Sequence, residues 1–300
     1  VKISPIAYGL ILISLIAVLF TEPINGATSW FIIGSFSIQP AEFAKIFVML
    51  TLALVISKVQ EKGKDEISKP LKLMLCLLVV AIPVILIVKQ PDYGTAIAFI
   101  VATVFVLLVS GIDKKYIIIS IILAVVILPL LYKFILPEHA KTRIDVFLNP
   151  NLDPRGSGYN IIQSKLAIGS GQLFGMGVTQ GNQTQLGYLY PKTTDFIFSV
   201  IGEEMGFVVA GLVIVLYVVL ITKIIFIAKT AKDDKGAYIA MGIAGVFVFH
   251  MVENIGMTMG LLPITGVPLP FVSYGGSSLL TNLILIGLVL NVSGRRKKSL

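Results

Sequence analysis

The sequence predicts an all-α integral membrane protein, a polytopic bundle of about eight helical spans. Three observations carry that prediction: the composition, the lengths of the apolar runs and the placement of the basic residues. Of 300 residues, 56% are apolar and only 13% charged, and the mean hydropathy is +0.94. A soluble chain of this length needs more polar surface than that, so lipid has to be the solvent.

A helix crosses a bilayer in about 17–25 mostly apolar residues, because the rise per residue is fixed and each backbone polar group must be satisfied within the segment. Runs of that kind lie at Ser4–Phe20, Ala41–Ser57, Leu71–Val88, Gly94–Ser110, Tyr116–Tyr132, Phe196–Ala228, Ala237–Met259 and Leu279–Val292. The sixth is long enough to tilt or to project past the membrane, and the last is short. Pro83 and Pro129 fall inside runs, where neighbouring helices re-satisfy the freed carbonyls, so kinks are expected and not chain reversals.

The net charge of +8 would suit a nucleic-acid binder if the basic residues shared one surface, but they alternate loop by loop. Lys58, Lys62, Lys64, Lys69 and Lys72 fall in one loop, Lys114 and Lys115 in another, and Lys223, Lys229, Lys232 and Lys235 in a third; Arg295, Arg296, Lys297 and Lys298 form the tail. These segments read as cytoplasmic. The loop Thr21–Pro40 has no basic residue and the turn Gln90–Tyr93 is flanked only by Lys89, so both fit the external face. Lys133–Thr194 is external by the same alternation, long loops obeying the charge rule poorly. An even number of spans puts both ends in the cytoplasm. Cys76, the sole cysteine, sits in an apolar run, which leaves no disulfide or thiolate cluster to build. The first run lacks a small-residue cleavage site and reads as a span, not a secretory signal. Without repeats, heptads or low-complexity linkers, residues 1–300 read as one membrane domain.

Two regions break the helical pattern: the loop Lys133–Thr194 and the Gly/Pro-rich stretch Gly260–Ser278, read as a re-entrant segment before the last span. Function should concentrate there. Within the loop, Asn160–Ser170 spaces Ile161, Ile162, Leu166 and Ile168 among polar residues, as a short interfacial helix does. Gly169, Gly171, Gly175, Gly177 and Gly181 have neither the preceding strand nor the following GK[ST] that a phosphate loop needs.

A charge inside a span costs about 2.5–3.5 kcal/mol on insertion scales, so each one requires a reason. Glu42 and Lys45, in QPAEFAK, stand three residues apart on one helical face and can pair with each other or with a substrate. Asp92, in KQPDYGTA, precedes the fourth span, where it either caps the helix or lines a site. Asp195 ends the long loop and opens the sixth span. At that edge of the hydrocarbon, desolvation would raise its pKa toward the range of a general base, while helix capping is the plainer role. Glu203 lies about 12 Å further along the helix and Glu204 points nearly the opposite way. That spacing disfavours the carboxylate pair of a retaining glycosidase, about 5–5.5 Å apart, and leaves Glu203 a structural role. His250, Glu253 and Asn254 fall at i, i+3 and i+4; with His139 the only other histidine, hydrogen bonding between helices is expected there and not a metal site.

The stretch NIGMTMGLLPITGVPLPFVSYGGSS, Asn254 to Ser278, resembles the C-terminal signature of the SEDS (shape, elongation, division and sporulation) family of bacterial cell-wall glycan polymerases. NGATSW at Asn25–Trp30, QPAEFAK at Gln39–Lys45, KQPDYGTA at Lys89–Ala96, the run Arg143–Gly171 and TDFIFSVIGEEMG at Thr194–Gly206 follow in the family's order. The wording of FLNP, QSKLAIGSG and ITGVPLPF is more similar to the RodA, or elongation, branch than to the FtsW, or division, branch. The resemblance implies an inverting transferase that joins lipid II units into glycan strands on the outer face of the bacterial cytoplasmic membrane during cell elongation, releasing undecaprenyl pyrophosphate. It implies Asp195, of the TDF motif, as the catalytic carboxylate and general base. Lys45, Arg143, Arg155 and Lys165 become candidates for pyrophosphate contact, and Glu42, Asp92, Ser273 and Ser277 join them as substrate-binding residues. It further implies a divalent cation, Mg or Mn, with a class B penicillin-binding transpeptidase and the elongation machinery as partners, and no nucleic acid.

The chain departs from the family pattern in places. Ser29 stands where an Arg usually precedes the Trp, here Trp30, and Tyr190–Thr193 stands where a Pro-Glu-x-His run is usual, so a proton shuttle through that histidine is not expected. The family usually has about ten spans, so two are expected before Ser4. Two other functions are open: a lipid II flippase, and a non-catalytic scaffold for a transpeptidase. A carrier would show broken helices in both halves and polar sites near mid-membrane, whereas a long external loop ending in a membrane-edge Asp favours chemistry on one face.

Overall fold

The structure is a computed structural model that describes residues 3–296 apart from 24–25, 35, 135–136 and 155. Each of the eight expected runs contains a helix: α1 (Ser4–Ala17, continued by a 3-10 turn to Phe20), α2 (Pro40–Val59), α3 (Pro70–Val88), α4 (Tyr93–Ser110), α5 (Lys114–Phe134), α9 (Ile197–Lys229), α10 (Asp234–Thr258) and α11 (Gly276–Gly294). Among the described residues six of these, α3, α4, α5, α9, α10 and α11, are long and apolar enough to cross a membrane. α1 is shorter, and α2 carries Glu42 and Lys45 in its first half. Both α3 and α5 continue through their internal prolines.

Local chemistry sets the helix ends. Pro40 and Pro70 stand in the first turns of α2 and α3, where a missing N–H costs nothing and the fixed φ is already helical. Asp92 caps α4 by accepting from Thr95 N at 3.1 Å, and Gly111 ends that helix in the left-handed conformation (φ 80, ψ 27). The long segment before α9 is largely helical, with α6 (Glu138–Leu148), α7 (Ser157–Ser170) and α8 (Asn182–Gln185). A short antiparallel hairpin, β1 (Phe31–Ile33) with β2 (Phe36–Ile38), lies in the loop before α2 and was not expected.

The chain forms two compact units. The first comprises Val1–Ile112, Val218–His250 and Tyr274–Leu300. α2 is its centre: α1, α3, α4 and α11 pack against it, which is why α2 is buried on nearly every side. α10 approaches α2 and α4 through small residues. A Cβ on Gly242 would stand 2.8 Å from Met49 Sδ, and one on Gly245 would stand 2.7 Å from Ala102 Cα, the close contact by which helices associate in lipid.

The second unit comprises Asp113–Tyr217 and Met251–Ser273. Here the expected single long helix is interrupted, because Gly206 in α9 has φ 77 and ψ −178. The backbone groups freed by the break are taken up by the loop after α7. Met176 N donates to Glu203 O (2.9 Å) and Gly177 N to Glu204 O (3.0 Å), while Phe207 N and Val208 N donate to Gln172 O (2.8 Å) and Leu173 O (3.1 Å). Glycine is required for that insertion: a Cβ on Gly171 would lie 1.9 Å from Gly202 O, and one on Gly175 2.2 Å from Glu204 O. The glycine-rich run is therefore a backbone-to-backbone joint. α7 buries Ile161, Ser164 and Ala167 and exposes Ile162 and Leu166. The Ser164 hydroxyl bonds the Ser199 hydroxyl and Thr258 O, both at 2.6 Å, tying α7 to α9 and α10.

Candidate active site

In the second unit, Asp195 stands just before α9, and the fold grips its main chain from both sides. Phe196 is buried with Ala167 and Leu189, fixing the start of the helix. The Ser273 hydroxyl donates to Thr194 O at 2.7 Å and accepts from Leu269 N at 2.8 Å. Asn254 Nδ2 donates to Asp195 O at 2.9 Å and to Val267 O at 2.8 Å. Val267, Leu269 and Ser273 belong to the irregular Gly/Pro-rich segment after α10, so that segment and the TDF motif are laced together through Asn254 and Ser273.

Gly266, with φ +75, stands beside the carboxylate: a Cβ there would make ordinary van der Waals contact, 3.5 Å from Asp195 Oδ2. Partial burial pushes the Asp195 pKa above the ordinary carboxylate value, opposed in part by the Thr194 hydroxyl and by the charge of Arg143. Arg143, partly buried on α6, acts through space, for no ion pair joins the two among the described residues. Lys165 extends from the exposed face of α7 across Gly260, where a Cβ would meet its Cε at 2.1 Å. Glu253 accepts from the Thr265 hydroxyl at 2.8 Å. Arg155 lies outside the described residues.

The carboxylates deeper along α9 are committed to the loop. Glu203 accepts from Gln183 N (2.7 Å), Thr184 N (3.0 Å) and Thr184 Oγ1 (2.5 Å), capping α8, and Glu204 accepts from Thr179 N (3.0 Å) and Gln185 Nε2 (2.8 Å).

The first unit holds the other predicted residues. Glu42 and Lys45 form an ion pair at 2.8 Å, 2% and 0% exposed, and Lys45 Nζ lies 3.2 Å from His250 Nε2. Glu42 Oε2 is buried with no hydrogen-bond partner among the described residues. Asp92 caps α4 through Oδ1, one of the two roles left open by the sequence, and accepts from Gln39 Nε2 at 2.9 Å through Oδ2. Burial raises its pKa; the Thr95 N–H and hydroxyl oppose the rise, Glu42 adds to it and Lys45 counters. The Ser277 hydroxyl accepts from Gln39 N (3.3 Å) and donates to Ser37 O (3.1 Å), joining α11 to the hairpin.

No three His, Cys, Asp or Glu side chains converge among the described residues. A hard cation held mainly by substrate phosphate oxygens needs only one or two carboxylates.

A family model described as cell cycle protein, covering FtsW, RodA and SpoVE, matches residues 2–298. The chain is similar to the peptidoglycan glycosyltransferase MrdB of Escherichia coli K12, at 38% identity over 296 residues, covering 98% of this chain and 78% of that protein. It is 40% identical over 271 residues to the stage V sporulation protein E of Bacillus subtilis, covering 90% of this chain and 72% of that one. Among solved structures, one reported as showing the structural coordination of polymerization and crosslinking by a peptidoglycan synthase complex matches with a TM-score of 0.82 at 28% identity, over 99% of this chain and 82% of that chain.

Proposed function

As a member of the cell cycle protein family of FtsW, RodA and SpoVE, the chain is a membrane-embedded peptidoglycan glycosyltransferase, and we propose that it polymerises lipid II with Asp195 as the general base. The observation that carries this reading is a partly buried carboxylate whose backbone is clamped at both peptide units and whose Oδ2 lies beside Gly266.

In the proposed reaction, the 4-hydroxyl of the acceptor sugar attacks the anomeric carbon of the donor from the face opposite its pyrophosphate. The oxygen–carbon bond forms as the bond to pyrophosphate breaks, which inverts the centre. Asp195 takes the hydroxyl proton, and undecaprenyl pyrophosphate leaves with the bonding electrons. A raised pKa suits this role, because a carboxylate that binds protons more tightly is a stronger base at working pH. Positive charge for the departing pyrophosphate comes from Arg143 and Lys165 on the same unit as Asp195, with Arg155 as a further candidate. Ser273 and Asn254 act as positioning residues.

The reading places Asp195 at the outer face and both chain ends in the cytoplasm, assigns the enzyme to cell elongation, and pairs it with a class B penicillin-binding transpeptidase. Support for that partner is the likeness to a synthase complex that couples polymerization to crosslinking. The test is to incubate the purified full chain and its transpeptidase with lipid II in vesicles. Glycan strands are the expected product; movement of lipid II headgroups across the bilayer without polymer would replace the polymerase reading with a flippase.

A further inference from the structure

Between Lys165 and Lys192 the sequence contains no charged residue, and the middle of this stretch turns apolar side chains outward. Phe174 is 81% exposed, Val178 64% and Leu173 58%. The exposure is built in, because the four main-chain hydrogen bonds to the broken turn of α9 hold Gln172–Gly177 in place. Two of them come from Phe207 and Val208, the first residues after the break in α9, and these are themselves 69% and 53% exposed. The apolar surface of the loop is thus continuous with the face that α9 presents to lipid.

The depth follows from helix geometry. Lys223 stands about 17 residues beyond Gly206, roughly 26 Å at the α-helical rise. A hydrocarbon layer is about 30 Å thick. With the Lys223 ammonium at one interface, the break at Gly206, and the loop bonded to it, stands just inside the other. Behind the loop, an apolar recess of about 410 Å³ is lined by Leu173, Ile168, Phe198, Phe207 and Ile214 among others; such a space offers water almost no hydrogen-bond partners.

We propose that Leu173–Val178 is a wedge inserted into the bilayer, with the hydrocarbon of the leaflet nearest Asp195 as its partner. Its apolar side chains embed beside α9, and the glycine joint transmits that anchorage to the half-helix Ile197–Met205. The wedge makes no use of the proposed catalytic chemistry.

Single cysteines at Phe174, at Val178 and, as a water-exposed control, at Lys64 in the loop between α2 and α3, each in a Cys76→Ala background, test this on the full chain. Each is labelled with an environment-sensitive nitrobenzoxadiazole dye and reconstituted in phosphatidylethanolamine–phosphatidylglycerol vesicles. The two loop labels are expected to emit to the blue of the Lys64 label. A doxyl group near the headgroup end of the acyl chain should quench them at least about twofold more than it quenches the control, as burial 5–10 Å into the interface implies, while aqueous iodide quenches them less. Val178 provides the reading if the Phe174 change prevents folding. Control-like emission with full iodide access at both positions overturns the proposal, and so does shielding that arises only when a protein partner is added.

Discussion

Around Asp195, Ser273 and Asn254 hold the carbonyls of Thr194 and Asp195, while burial, opposed in part by the Thr194 hydroxyl, leaves the carboxylate readier to accept a proton. The base form must be ionised, so activity should fall on acidification at a pH above the ordinary carboxylate range, and the acid limb of a pH–rate profile measures it. The same shift acts on stability. Since the folded protein binds this proton more tightly than the unfolded chain, the stability associated with Asp195 declines as pH rises from the unfolded to the raised folded pKa. Asp195→Asn should therefore melt at a higher temperature than wild type at neutral pH, with the difference vanishing below the unfolded carboxylate pKa; thermal unfolding across pH checks this. Ser273→Ala should lower polymerisation about tenfold while lipid II still binds, because a misaimed base costs rate more than affinity. Glu42 and Lys45 are a separate case. Removing either member leaves a buried unpaired charge and should destabilise by about 3–5 kcal/mol, whereas replacing both by apolar residues should cost less, as a double-mutant cycle of unfolding would show. Asp195 could be picked out in the sequence because it sits where polar loop meets apolar run. Asn254 and Ser273 stand out in the sequence too, as a helix-bonding residue and a substrate-binding candidate, but what they hold does not, since their partners lie 59 and 79 positions away.

At the scale of the element, α9 is two helices joined by a backbone splice. Gly206 occupies a region of φ/ψ open almost only to glycine, which alone should cost Gly206→Ala about 1–3 kcal/mol, and its Cβ would also stand 2.3 Å from Gly175 N. Gly175→Ala meets the same joint from the other side, its Cβ 2.2 Å from Glu204 O. Melting temperatures in detergent should fall below wild type for both variants. The helices themselves were legible, since run length and hydropathy report directly on what a bilayer accepts. The break was not, because residues on either side of Gly206 continue the apolar pattern and the partners that replace the lost hydrogen bonds come from Gln172–Gly177, nearly a whole helix earlier in the chain. The spacing of the loop glycines was visible, but what they approach is decided only by tertiary structure. The hairpin Phe31–Ile38 escaped notice for a similar reason: two three-residue strands carry too little pattern to register.

For the molecule as a whole, lipid explains the composition. The charge pattern of the loops makes a testable statement about orientation: a membrane-impermeant thiol reagent applied to intact cells should label a cysteine at Thr179 and spare one at Lys64. The reverse pattern would put Asp195 on the wrong side for building a wall outside the membrane. Most direct is the rate of lipid II polymerisation by the purified full chain with its transpeptidase, compared among wild type, Asp195→Asn and Asp195→Ala. Both variants should lose about 10²–10⁴-fold while remaining folded, the usual contribution of a positioned base; undiminished strand synthesis by either one would contradict the assignment of Asp195.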